Sequence, residues 1–169
     1  LVDQFGVDAI RYFLLREVPF GLDGDFSHKS LINRINSDLA NNLGNLLNRT
    51  MSMIKRYHDQ VIPAPTSPTE DFDLIDEFKK GVEDVHKLYD DLSYNKILER
   101  IWLLVDTTNK YIDTNSPWNL VKTETGKIRL STVMYNTVEC IRAISILIYP
   151  FMPKSADTIM KQLGIEQTI

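Results

Sequence analysis

A chain of 169 residues with 43% hydrophobic and 25% charged residues has the composition of a globular domain, which excludes a disordered or fibrous protein. The net charge of −4 argues against broad electrostatic binding to nucleic acid and limits such binding to a local patch. No apolar run approaches the roughly 20 residues that span a bilayer, so we expect no membrane segment.

The N-terminal segment predicts a short helix followed by a connector. Apolar residues recur at helical spacing after Gly6, with Asp8 as the N-cap, and this helix ends near Pro19. Residues 20–27 alternate apolar and polar side chains, as an extended edge or a turn does. We therefore expect residues 20–27 to link two different pieces of structure.

A long helix is predicted from residue 28 to about residue 60, with Ser27 as its N-cap and Pro63 as its stop. At about 100° per residue, its apolar side chains fall on one face, which we expect to be buried. The opposite face is a polar stripe formed by Asp38, Asn41, Asn45, Arg49, Ser52 and Arg56. Such a stripe offers hydrogen bonds to something outside the bundle.

The rest of the chain also has helical periodicity, so we predict an all-α fold. The predicted helices cover 69–91, 93–115 with Ser93 as N-cap, a short helix that starts at Pro117, 127–149 after a break at Thr125-Gly126, and a last helix that Ser155 caps. Proline at a first helical position would fix the next residue, Trp118, at a corner. The helix 127–149 is apolar on most sides of its second half, so we expect it to be the most buried.

No catalytic site is visible in the sequence. The three histidines, His28, His58 and His86, each stand alone on a helix without a ligand partner at metal-binding spacing, so no metal is expected. The glycines form neither a dinucleotide loop nor a phosphate loop, and we expect no cofactor in this segment. The single cysteine, Cys140, lies in an apolar helical stretch and is interpreted as an inert core thiol.

Three residues have the chemistry needed to read single-stranded RNA. Unstacked bases are held by aromatic stacking, and amide and guanidinium groups hydrogen-bond their edges, which Trp118, Asn45 and Arg49 could do. The same residue types are also typical of a solvated helix face and of a capped core tryptophan. Periodicity alone leaves both interpretations open.

Several segments resemble methionyl-tRNA synthetases, a class I family. Residues 8–16 and 20–27 resemble the segment after that family's KMSKS loop, and residues 36–49 resemble its anticodon helix. The resemblance continues through Pro117-Trp118 and ends with the sequence Pro-Phe-Met-Pro at 150–153. It therefore covers the whole chain.

The resemblance implies an anticodon-binding helix bundle over residues 28–169, preceded by the tail of a stem-contact connector over residues 1–27. It also implies that Asn45, Arg49 and Trp118 recognise the CAU anticodon of methionine tRNA, both initiator and elongator. The family's HIGH and KMSKS signatures are absent. The catalytic domain that uses ATP and Mg²⁺ would therefore precede this segment, which we expect to be inactive alone.

Further expectations concern Arg56 and the cellular setting. Arg56 continues the polar stripe and is the candidate for a tRNA backbone contact. We expect a cytoplasmic protein whose partners are methionine tRNA and its own catalytic domain. The alternatives are the anticodon bundle of a cysteinyl, leucyl, isoleucyl or valyl synthetase, or a non-catalytic helical module that binds protein.

Overall fold

Helices and their connecting turns make up the computed structural model, which describes residues 1–19, 21–24, 26–66 and 71–165. The helices are α1 Val2–Phe5, α2 Val7–Glu17, α3 His28–Arg34, α4 Asn45–Tyr57, α5 Phe72–Asp90, α6 Tyr94–Asn115, α7 Pro117–Leu120, α8 Glu124–Ile148 and α9 Pro153–Gln162, and a π-helical segment Ile35–Gly44 joins α3 to α4. The predicted all-α class is confirmed. None of the described helices is long and apolar enough to cross a membrane.

The predicted long helix is present as one continuous helical run of α3, the π-helical segment and α4. Ser27 is its N-cap, and the Ser27 side chain accepts a hydrogen bond from the Ser30 amide at 3.0 Å. Hydrogen bonds from residue i to i+5 in the π-helical segment wind more residues into each turn than an α-helix does. A helical wheel drawn at 100° per residue therefore no longer gives the correct direction of side chains after the segment Ile35–Gly44.

The core is formed around α6 and α8, which pack on each other, and α5 also packs on α6. Gly81 of α5 allows this approach, because a Cβ there would lie 2.9 Å from the Leu104 methyl carbons. The second half of α8 contributes fully buried residues such as Ile144 and Ile148. Cys140 is buried here, and burial raises the pKa of its thiol to about 12, which makes it an unreactive core residue.

Two predicted N-caps are wrong, because their side chains serve contacts between distant parts of the chain. Gly6, not Asp8, holds the N-cap position of α2. The Asp8 carboxylate instead accepts hydrogen bonds from the Ser155 amide at 2.7 Å and the Ser155 hydroxyl at 2.8 Å. Ser155 lies inside α9, whose N-cap position is taken by Met152.

The predicted chain break at Gly126 is also wrong, since α8 already begins at Glu124. Thr123 is the N-cap, and its side-chain oxygen accepts a hydrogen bond from the Gly126 amide at 3.1 Å. The glycine is needed for packing, because a Cβ at this position would collide with the carbonyl oxygen of Leu120 in α7. Gly126 therefore sets how closely α7 lies on the first turn of α8.

Candidate nucleic-acid interface

Arg49 lies one turn into α4 and is oriented by a carboxylate of α6. Its Nη2 donates to Asp113 Oδ1 at 2.6 Å, while the Arg49 and Asp113 side chains remain 30% and 60% exposed. An ion pair with this exposure contributes little to the free energy of folding. Its main effect is therefore on the guanidinium, which it holds toward the C-terminal turn of α6.

Two further hydrogen bonds fix α6 against the long helical run. Asn42 Nδ2 donates to Asp106 Oδ1 at 2.7 Å, and Asn109 Nδ2 donates to Asn42 Oδ1 at 2.8 Å. Asp106, Asn109 and Asp113 follow one another at spacings of three and four residues, so they share one face of α6. This polar face of α6 sets the register between Arg49 and the end of α6.

Trp118 stands on the surface just beyond that end. Ser116 adopts the left-handed conformation, with φ 47° and ψ 64°, and turns the chain sharply between α6 and α7. Pro117 is buried as the first residue of α7, whereas the Trp118 side chain is 42% exposed. A large aromatic surface is thus presented five residues after the carboxylate that holds Arg49.

A hydrogen-bond network centred on the buried Asp71 carboxylate supports the corner at Ser116–Trp118. The Asp71 carboxylate is buried and accepts two hydrogen bonds from Arg129, at 2.8 and 2.6 Å, and one from Asn136 at 2.8 Å. Arg129 also donates to Asn115 Oδ1 at 2.8 Å. Asn115 is the last residue of α6, so the network ties the start of the Trp118 corner to α8.

Asp71, the residue at the N-cap position of α5, is buried. Burial raises the pKa of Asp71, but the hydrogen bonds from Arg129, Tyr111 and Asn136 and the positive charge of Arg129 outweigh burial and hold that pKa below its ordinary value. Asp71 is therefore a charged structural anchor. Arg129 and Asn136 are 58 and 65 residues away, so no local pattern reveals the pairing.

The predicted polar stripe is divided between internal and exposed residues. Asp38 is not available to an outside partner, because its side chain is 14% exposed and accepts a hydrogen bond from the Tyr12 hydroxyl at 2.6 Å. Asn45 is exposed, and its side chain has no hydrogen-bond partner within the described residues. Arg56 is exposed two turns beyond Arg49, with its guanidinium carbon 5.7 Å from the centre of the Tyr57 ring.

Sequence reasoning missed Asp113 and Asp106. Both belong to α6, in which only the apolar periodicity was used, and the polar spacing of residues 106, 109 and 113 on its other face was the available signal. Among the residues that the structure describes, no group of three or more histidines, cysteines and carboxylates could hold a metal ion. What the described surface offers is an exposed indole that follows the last turn of α6, and an amide and a guanidinium on α4, which are side-chain types that suit nucleic-acid bases.

The family model for the "Anticodon binding domain of methionyl tRNA ligase" matches residues 62–169. The chain belongs to this family. A second family model, for "tRNA synthetases class I (M)", matches residues 1–51. The match to the methionyl family separates the chain from the cysteinyl, leucyl, isoleucyl and valyl alternatives considered from the sequence.

Curated relatives are similar over the whole chain. A methionine–tRNA ligase from Caldanaerobacter subterraneus subsp. tengcongensis is 54% identical over 170 residues, covering 100% of this chain and 27% of the relative. A methionine–tRNA ligase from Clostridium tetani is 46% identical, covering 99% of this chain and 26% of the relative. The chain therefore spans about a quarter of the length of the curated relatives it matches.

Solved structures agree with the family. The apo form of Mycobacterium tuberculosis methionyl-tRNA synthetase superposes with a TM-score of 0.89 at 41% identity, covering 94% of this chain and 33% of that chain. The same enzyme in complex with methionyl-adenylate has a TM-score of 0.89 at 41% identity and is covered to 32%. The helical arrangement described above is therefore that of a methionyl-tRNA synthetase segment.

Proposed function

We propose that this chain reads the CAU anticodon of methionine tRNA, initiator and elongator, as part of a methionine–tRNA ligase that works in the cytoplasm. In the complete enzyme, the catalytic part uses ATP and Mg²⁺ to attach methionine to the tRNA. The observation that carries the proposal is the position of Trp118. An exposed tryptophan in α7 directly follows the turn of α6 that holds Arg49.

Trp118 stacks on an anticodon base in this proposal. Stacking on an aromatic side chain tolerates any base, because every base presents a π-face, and contributes about 1–3 kcal/mol per base. Pro117 and the Asn115 network fix the backbone that carries the indole before the RNA arrives. Little conformational entropy is then lost when the base stacks.

Asn45 and Arg49 hydrogen-bond the edges of anticodon bases. The guanidinium has five N–H donors, and within the described residues one of them is taken by Asp113, which leaves others for a base. Asp113 acts as a positioning residue that sets the direction of these donors. The Asn45 amide offers both a donor and an acceptor on the exposed side of the same helix.

Arg56 contacts the tRNA backbone in this proposal. A phosphate contact carries no base information, so its loss weakens binding of all tRNAs alike and reduces the salt dependence of binding. Arg56→Ala in full-length enzyme therefore lowers affinity for cognate and anticodon-swapped tRNA by the same factor. It serves as the non-specific reference for the two edge-reading residues.

The test measures charging of methionine tRNA and of an anticodon-swapped tRNA by full-length enzyme, with methionine activation assayed separately. Trp118→Ala lowers charging of methionine tRNA, and Arg49→Ala reduces both charging and the preference for the cognate anticodon. Methionine activation is unchanged in both variants. Asp113→Asn, which keeps the size of the side chain but removes its charge, has a smaller effect in the direction of Arg49→Ala.

The alternative function is that of a protein-interaction module that does not bind RNA. If Trp118→Ala and Arg49→Ala leave charging of both tRNAs untouched, the anticodon proposal is wrong. Salt dependence gives independent support, because affinity for tRNA that involves phosphate contacts falls as the salt concentration rises. Binding that does not respond to salt contradicts the assignment of Arg56.

A further inference from the structure

Two side chains of α2 form hydrogen bonds with the turn between α8 and α9 and with the first turn of α9. Arg11 Nε donates to the Phe151 carbonyl at 2.9 Å, and Arg11 Nη2 donates to the Pro150 carbonyl at 2.7 Å. One turn earlier on α2, the buried Asp8 carboxylate accepts both hydrogen bonds from Ser155. We call Asp8 and Arg11 with residues 150–155 the corner clamp.

The charge of Asp8 matches the helix end that it contacts, while Arg11 pairs with carbonyls of the turn that follows α8. The last carbonyls of a helix carry partial negative charge and favour a cation, whereas the first amides carry partial positive charge and favour an anion. Asp8 lies at the start of α9, whereas the carbonyls that Arg11 contacts belong to Pro150 and Phe151, in the turn beyond the end of α8 at Ile148. Met152, the N-cap of α9, makes no side-chain cap, so the capping is provided by α2.

The clamp also connects the two segments that the family models match separately. Asp8 and Arg11 lie in residues 1–51, which match the class I synthetase model, whereas residues 150–155 lie in the part that matches the anticodon-binding model. The contacts join positions 139 to 147 residues apart. α8, which ends at this corner, also contacts α7, the helix that carries Trp118.

One oxygen of the clamp lacks a partner. Asp8 is 9% exposed, and its Oδ1 atom is buried without a hydrogen bond among the described residues. A buried carboxylate with one unpaired oxygen costs stability, and a Ser or Asp at the N-cap of α9 would cap that helix without this cost. A connection between α2 and the corner is therefore a better explanation than local stability of α9.

We infer that Asp8 and Arg11 are positioning residues for tRNA charging, an inference that rests on the proposed function. They fix the orientation of the anticodon-reading bundle relative to the part of the enzyme that precedes it. A tRNA held at its anticodon is then delivered with its acceptor end at the reacting atoms. Without the clamp, the anticodon is still bound but the acceptor end is misplaced.

The test separates turnover from binding in full-length enzyme. Arg11→Ala and Asp8→Ala lower kcat for charging by about 10- to 100-fold, since displacements near 1 Å reduce rates by such factors. The KM for methionine tRNA and the rate of methionine-dependent ATP–pyrophosphate exchange stay unchanged. Asp8→Asn keeps an acceptor oxygen for Ser155 and retains most of the activity, whereas Arg11→Lys cannot reach both carbonyls and loses it.

Two controls distinguish positioning from stability. Glu17→Ala removes an α2 ion pair to Arg34, which lies within the same matched segment, and leaves kcat unchanged. Ser155→Asp in the Asp8→Ala background restores a negative charge in the first turn of α9 without restoring the contact to α2. This double variant regains the melting temperature but not kcat.

The inference is overturned by any of three results. kcat that recovers together with the melting temperature in the double variant shows that the clamp only stabilises α9. An increase in KM without a change in kcat shows that the clamp supports tRNA binding instead. Normal charging by both Arg11→Lys and Arg11→Ala shows that the corner needs no clamp. Failure of the anticodon proposal is recognised separately, because Trp118→Ala in the same assay would then leave charging unchanged.

Discussion

Two corners of the bundle start from similar sequence and have opposite exposure. At Ser116–Trp118 a proline begins α7, and the neighbouring tryptophan is 42% exposed. At Pro150–Ser155 Pro153 begins α9, and Phe151, which follows Pro150 two residues earlier in the turn, is 2% exposed. The second corner is covered by α2 through Arg11 and Asp8, whereas the Trp118 side chain at the first remains partly exposed to solvent.

An aromatic residue beside a proline at a helix corner is therefore buried at one corner and exposed at the other, which the local sequence does not decide. Phe151 stacks on Tyr89 and meets Tyr94 edge-on, with ring centroids 6.2 and 6.4 Å apart. Trp118 has no such aromatic partner within the described part of the chain. Asp71 and Arg129 stabilise its corner through Asn115, and much of the indole remains exposed to solvent.

The largest expected effect comes from truncating the aromatic residue at each corner. Phe151→Ala removes a fully buried ring and lowers the free energy of unfolding by about 3–5 kcal/mol. Trp118→Ala changes that free energy by much less, because much of the indole is already in water. Chemical denaturation of both variants measures the contrast, and equal losses would contradict the distinction between a buried and an open corner.

A smaller loss of stability is expected when Asp71, which supports the corner at Ser116–Trp118, is replaced. Asp71→Ala removes three hydrogen bonds of a buried carboxylate and lowers the free energy of unfolding by about 3 kcal/mol. Asp71→Asn keeps an acceptor for Arg129 and loses less. Because Asn115 is released from this network, Asp71→Ala also weakens tRNA binding, and an unchanged affinity would show that the corner needs no anchor.

The lowered pKa of Asp71 predicts that the stability of the chain depends on pH. Its pKa in the folded chain lies below the ordinary value of 3.8, so its contribution to stability is complete above that value and is lost as the pH falls through the folded pKa. Denaturation curves of the natural chain therefore lose stability below about pH 4. Asp71→Asn lacks this part of the slope, and identical acid profiles would contradict the assignment.

The smallest expected effect on folding concerns Gly126. Gly126→Ala places a Cβ against the Leu120 carbonyl, so α7 must move away from α8 at a cost of about 1–3 kcal/mol. Gly81→Ala is the matched control, since its Cβ meets only the flexible Leu104 side chain of the core. If α7 positions the indole, Gly126→Ala weakens tRNA binding more than Gly81→Ala does at equal stability.

The order of the helices could be predicted from the sequence because apolar periodicity and proline stops act locally. The long helix with its Ser27 cap, the helix start at Pro117 and the buried Cys140 are present as expected. The family resemblance was carried by continuous motifs and is confirmed by the family models. The assignment of Asn45, Arg49 and Trp118 to the anticodon remains a proposal.

Only the tertiary structure decided which polar side chains are used within the fold. Asp38 seemed available on a regular wheel, yet the π-helical segment shifts the phase and Tyr12 takes its carboxylate. Asp8 and Asp71 have partners 147 and 58 residues away, and Asp113 meets Arg49 across 64 residues. A sequence specifies which groups can hydrogen-bond and where helices start, whereas the partner of each group is chosen when distant helices pack, because packing determines which groups come within reach of one another.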